Sequence, residues 1–214
     1  CVGLENRGGC MNLTTLKWAE KRFFDFYPDG FQSIELNETL KKHKVGKMTE
    51  FAQKVLSKKE MKRELEAMDN IMKIITRSSM VSVFEKMRFR DLIKESDDGF
   101  KKEFVHAVYT MIHGNQQSGF EQVVSILAPY KLAKWPIVTV LLTYYNPTVE
   151  VFVKPTTVKR IIAVLELNEL QYTPKMNYEF YVGYREAFNG LKEHVDPSLS
   201  VSNGHFSGFL MMTL

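Results

Sequence analysis

Trp135-Pro136-Ile137-Val138-Thr139-Val140-Leu141-Leu142-Thr143-Tyr144-Tyr145-Asn146-Pro147 contains the longest apolar run of the chain, Ile137 to Leu142. Two readings compete for it. Val, Ile, Thr and Tyr favour a strand, whereas Trp135-Pro136 puts proline at the start of a helix, where its missing N–H is no loss. The helix is the reading adopted here. The run falls well short of the roughly 20 residues that a membrane span needs.

Working outward from this stretch, Glu150 to Val153 is the better strand candidate. Lys154-Pro155-Thr156-Thr157 then opens a helix from Thr157 to Leu167, with Thr156 as cap and Val158, Ile161, Ile162 and Leu165 on one face. Pro174 or Asn177 starts a further helix reaching His194. Ser200 to Gly208 reads as loop, and Phe209 to Thr213 as a final strand.

Upstream, Leu13, Leu16, Ala19, Phe23 and Phe26 recur at helical spacing, and Pro28-Asp29-Gly30 ends that helix in a turn. Ile34 to His43 is expected to form a short helix. Phe51 to Ile75 is the longest helical segment, with Ser57 and Glu60 spaced as a capping box that could divide it. Within it, Met61, Leu65, Met68, Met72 and Ile75 make a heptad-like seam that calls for a partner helix. Ser82 with Glu85 opens Val83 to Lys94, and Asp97-Asp98 caps Gly99 to His113. Ser118 with Glu121 opens a helix running to Leu127. The expected fold class is therefore mainly α, a single-domain helical assembly over residues 11–214. A minor β element is placed near 149–153 and a second at 209–213.

Hydrophobic residues at 44% and charged residues at 25% of 214 are ordinary for a globular protein and exclude wholesale disorder. Met11-Asn12-Leu13-Thr14 reads as a translation start, so residues 1–10 are expected to be an extension outside the fold. No export signal is recognised, so a cytoplasmic protein is expected. Cys1 and Cys10 are the only cysteines and cannot complete a four-ligand zinc site. No cofactor and no metal is expected.

The net charge of +4 is unevenly spread. From Lys41 to Arg63, nine basic residues face only Glu50 and Glu60, leaving the rest of the chain acidic in sum. Lys54, Lys58, Lys62 and Arg63 fall together on the expected helix. Lys86, Arg88 and Arg90 form a second cationic group, and Lys154, Lys159 and Arg160 a third. Such groups bind phosphates without reading sequence, and Tyr144, Tyr145, Tyr178 and Tyr181 could stack on bases if exposed. The plain alternative is a set of solvated helix faces. Nucleic acid is the expected partner. A protein partner or self-association through Met61, Leu65, Met68 and Met72 is the alternative, and a membrane partner is excluded.

Several blocks resemble a bacterial protein family of unassigned function. They include Phe26-Tyr27-Pro28-Asp29-Gly30-Phe31, Phe84-Glu85-Lys86-Met87-Arg88-Phe89-Arg90, Phe152-Val153-Lys154-Pro155-Thr156, and Tyr172 with Pro174, Asn177, Tyr178 and Tyr181. The resemblance spans most of the chain after Met11. It implies one co-linear domain and carries no activity across.

Catalytic patterns are weak. A metal-dependent nuclease needs clustered carboxylates with a nearby lysine, and Asp29 with Glu60-Met61-Lys62 has the right residue types. Glu60, however, falls on an expected helix rather than a strand. The five histidines show no metal-ligand spacing, and no nucleophile elbow, phosphate-binding glycine loop or dinucleotide fingerprint occurs. An enzyme is the less favoured class, and no catalytic residue is assigned.

Overall fold

The computed structural model describes residues 11–36, 38 and 45–214. The expected extension 1–10 lies outside them, as do Lys41, Lys42, Lys44 and most of the helix expected at Ile34 to His43. Of that helix, residues 34–36 and 38 are helical. The chain divides into two compact units, His43–Pro147 (the middle unit) and Cys1–Lys42 with Thr148–Leu214 (the terminal unit). The fold is mainly helical, and no helix among the described residues is long and apolar enough to cross a membrane.

The terminal unit begins with α1, Leu13–Phe26, whose N-cap Asn12 accepts the Thr15 N–H at 2.9 Å. Leu16, Ala19 and Phe23 are buried as their spacing requires. Phe26 is not. It is the last residue of α1, and after the turn at Gly30 (φ 57°) it is Phe31 that packs on the Phe23 ring, at 5.2 Å.

The middle unit consists of α2 (Val45–Val55), α3 (Glu64–Arg77), α4 (Val83–Glu95), α5 (Asp98–His113), α6 (Gln116–Leu127) and α7 (Trp135–Tyr145). The stretch around Ile137 to Leu142 is thus helical, and every residue from Trp135 to Tyr144 is buried. A helix apolar on all sides must be wrapped on all sides, and α2, α3 and α6 pack on α7. Its polar groups are satisfied inside the unit. Thr139 and Thr143 donate to carbonyls one turn back at 2.7 and 2.8 Å, and the Tyr144 hydroxyl meets Ser78 Oγ at 3.0 Å.

The Ser82–Glu85 capping box forms as the sequence predicts, and Asp97 accepts the Phe100 N–H at 2.8 Å. The start of α6 differs. Its cap is Asn115, whose Oδ1 accepts the Ser118 N–H at 2.8 Å, and Ser118 is an ordinary first-turn residue. α5 and α6 cross at Gly119, where an added Cβ would lie 2.0 Å from the backbone nitrogen of Met111. Glycine is required there for close approach.

The chain returns to the terminal unit with α8 (Pro155–Val164), α9 (Tyr178–Lys192) and α10 (Asn203–Thr213). Val158 and Ile161 are buried on α8 and Leu165 is buried at its C-cap, while Ile162 is only half-buried. Asn12 N–H donates to the Leu165 carbonyl at 2.9 Å, tying the start of α1 to the end of α8. Phe23, Phe209, Phe206, Phe188, Tyr184 and Phe180 form a continuous run of ring contacts through the core, each step 5.0 to 6.1 Å.

Neither expected strand forms among the described residues. Residues 209–213 lie within α10, because Ser202 caps its first turn and Phe206, Phe209, Leu210 and Thr213 recur at helical spacing on the buried face. Residues 150–154 form neither helix nor strand, and only Lys154, before α8, is recorded with extended dihedrals. Side chains take over the role a neighbouring strand would play.

Candidate functional site

The nine-cation segment splits at the point the Ser57–Glu60 pair marks. α2 ends at Val55, and a turn with a short 3-10 segment at Glu60–Lys62 leads into α3. The single helical stripe expected for Lys54, Lys58 and Lys62 is therefore not formed. Lys54 is in the last turn of α2, Lys58 and Lys59 are in the connecting turn, Lys62 closes the 3-10 segment, and Arg63 is the residue before α3. All five are exposed. Among the described residues, the one ion pair in this group is Arg63–Glu66 at 3.3 Å, both side chains well exposed. Glu64 and Glu66 fall in the first turn of α3, where the helix dipole favours carboxylates. The result is an exposed basic corner between α2 and α3. Beside it lies a shallow cleft of about 220 Å³ lined by Met61, Lys62, Glu64, Val105, His106 and Tyr109.

The second cationic group is largely engaged locally. Arg88 donates to the Tyr130 carbonyl at 3.0 Å and lies over the Phe84 ring at 5.6 Å, and Arg90 pairs with Asp91 at 3.1 Å. Lys86 is half-buried. Arg88 borders a concavity of about 820 Å³, where Asp91, Glu95 and Asp97 outnumber Arg88 and Lys131. That balance does not favour an anion. The third group belongs to the terminal unit. Lys154 is the residue before α8, and Lys159 and Arg160 are exposed on α8, with Lys159 over the Tyr172 ring at 5.0 Å.

The tyrosines are not a stacking platform. Tyr144 and Tyr181 are buried, and Tyr145 and Tyr178 are half-buried. Tyr181 belongs instead to a polar network around Glu150, a carboxylate only 6% exposed. Its Oε2 accepts the Tyr181 hydroxyl at 2.6 Å, and Arg185 Nη1 reaches both carboxylate oxygens at 3.0 Å. Burial, reinforced by the Glu150 charge, holds the Tyr181 phenol well above its ordinary range, so it stays a donor. Asn203 donates to the Glu150 carbonyl at 3.0 Å, Asn189 to that of Val149 at 2.8 Å, and Lys192 to that of Thr148 at 2.8 Å. This cluster fastens residues 148–150 to α9 and α10. It is well satisfied, and its chemistry is structural.

The seam expected to receive a partner helix is used inside the middle unit. Met61 and Met68 are buried, Met72 is half-buried, and only Leu65 is exposed. With the helix broken at residues 56–63, the buried positions of α3 become Ala67, Met68, Ile71, Ile74 and Ile75, which pack on α5, α4 and α7. His113 is bonded to the Leu56 carbonyl at 2.7 Å, and His106 is exposed. Among the described residues, no three His, Cys, Asp or Glu side chains come together as a metal-binding group.

The exposed aromatics lie elsewhere. Trp18 and Phe26 on α1 are 55% and 67% exposed, and the Arg22 guanidinium lies between them, 5.1 Å from one ring centroid and 5.9 Å from the other. On α4, Val83, Phe84 and Met87 are exposed together. The sequence signal for the first group was the i, i+4, i+8 spacing of Trp18, Arg22 and Phe26, which reading Phe26 as core concealed. No family model matches this chain, and neither curated proteins nor solved structures give a significant match.

Proposed function

We propose that this chain is a non-enzymatic binding protein whose ligand is nucleic acid, held at the basic corner between α2 and α3. The observation that carries this reading is the exposure of Lys54, Lys58, Lys59, Lys62 and Arg63 within one turn-linked segment, four of them without a carboxylate partner among the described residues. Exposed lysines and arginine contact phosphates without reading bases, so the binding is sequence-independent. The cations of α4 and α8 are secondary. Of the former, Arg88 and Arg90 are engaged by local partners, and the latter belong to the other unit.

Fluorescence anisotropy with a labelled duplex across a salt series tests this. Log K should fall linearly with log salt, by about 0.9 per phosphate contact. Replacing Lys58, Lys62 and Arg63 together by Gln should weaken binding equally for unrelated sequences and flatten that slope. No binding at low salt, or a triple variant that binds like wild type, sinks the reading.

A second reading, a protein partner, is favoured by one observation. Val83, Phe84 and Met87 present a contiguous apolar face on the first two turns of α4. This face, rather than the buried Met61–Met72 seam, is where such a partner would dock.

A further inference from the structure

We infer that the outer face of α1 is a contact for single-stranded nucleic acid, with Trp18 and Phe26 stacking on unpaired bases and Arg22 meeting the intervening phosphate. The inference rests on the nucleic-acid reading for its ligand class. It uses different residues, on the other unit.

Isolated apolar residues on a surface need no explanation. These are not isolated. Trp18, Arg22 and Phe26 form one row along α1, and burying a ring of this size is worth roughly 1.5–3 kcal/mol to a fold, a gain forgone twice on one stripe. The guanidinium is held over both rings, and Arg22 has no carboxylate partner among the described residues. The row is therefore an aromatic ring, a cation and an aromatic ring.

Its neighbours favour an anionic ligand. Lys21 is exposed beside Arg22, and Lys17 is held by Glu20 at 2.8 Å. Asp25 is the one exposed carboxylate on α1. Aromatic faces combined with arginine are how sequence-tolerant single-strand sites are built. The repeat discriminates further. Four residues of helix advance about 6 Å, which a single strand with splayed bases can match. A duplex keeps its bases paired and stacked inside the helix, and offers no free base face along its length.

The test uses the full chain, with fluorescein-labelled oligothymidylate and a labelled hairpin duplex as probes. Trp18→Ala with Phe26→Ala should weaken oligothymidylate binding by about tenfold per ring and leave hairpin affinity unchanged, with an unaltered circular dichroism spectrum and melting temperature. Trp18→Phe should keep most of the affinity. In wild type, oligothymidylate should quench tryptophan emission. Trp18→Phe should abolish that quench, because the other tryptophan, Trp135, is buried in the middle unit. If the double variant binds oligothymidylate like wild type, the α1 contact is wrong while the basic-corner reading stands. If a correctly folded double variant loses both probes equally, the claimed single-strand selectivity is wrong. If wild type binds neither probe, both readings fall. Self-association abolished by the double variant would then reassign the face to a second copy of this chain.

Discussion

Arg185 approaches Glu150 with one guanidinium nitrogen 3.0 Å from each carboxylate oxygen, across 35 residues of sequence. Both side chains are mostly buried, at 18% and 8% exposed. Removing one partner leaves the other charge desolvated and unpaired, a loss of about 3–5 kcal/mol. Glu150→Ala should show it as a large fall in the denaturation midpoint. Replacing both residues together by Met should cost less than the sum of the single changes. Strict additivity would show that the pair is not coupled.

Gly119→Ala tests the crossing of α5 and α6. The added methyl would meet backbone rather than a movable side chain, so the helices must separate. The loss should be at or above the upper end of the roughly 1–3 kcal/mol usual for overpacking. A melting temperature equal to wild type would show that the crossing is looser than described.

Ile161→Ala and Ile162→Ala separate the buried face of α8 from its edge. Ile161 is 1% exposed and should cost about 2–5 kcal/mol. Ile162, half-buried, should cost distinctly less. Equal losses in chemical denaturation would contradict the observed rotation of the helix.

His205 should make the terminal unit sensitive to mild acid. Burial lowers its pKa from the ordinary 6.5, and its ring packs edge-on to Phe31 at 5.1 Å. The folded state therefore takes up this proton later than the unfolded chain does. Stability from this group is fully present above pH 6.5. It is lost as pH falls through 6.5 toward the lower folded value. His205→Gln should have a shallower stability–pH profile through that window, and an unchanged slope would count against the assignment.

Local signals in this chain were legible where neighbouring residues alone decide the outcome. Ser82 with Glu85 and Asp97 before Phe100 cap as their spacing predicts, and of the two starts open for α9, Pro174 and Asn177, the cap is Asn177. The all-round burial of α7 follows from its apolar run. Asn115 was overlooked because Ser118 and Glu121 imitate a capping box three residues later. Val149 to Val153 was misread because alternating β-branched residues have high strand propensity, yet propensity cannot supply a neighbouring strand. Ser57 and Glu60 marked the break between α2 and α3, but the break also turned a supposed lysine stripe into a corner. The contacts among Glu150, Tyr181 and Arg185 could not be read at all, because no local pattern links residues so far apart in sequence.

Three successive backbone carbonyls, those of Thr148, Val149 and Glu150, each accept from a side chain, Lys192, Asn189 and Asn203 respectively. Val-Glu-Val-Phe-Val is the kind of sequence that pairs readily with a copy of itself when its edge is open. Here the carbonyls at its start are already occupied by side chains, and Val151 and Val153 are buried. Asn189→Ala or Asn203→Ala should free one of these carbonyls, and a rise in aggregation on mild heating is the expected outcome. Two amides and one ammonium group thus hold the carbonyls that lead into a segment of high strand propensity.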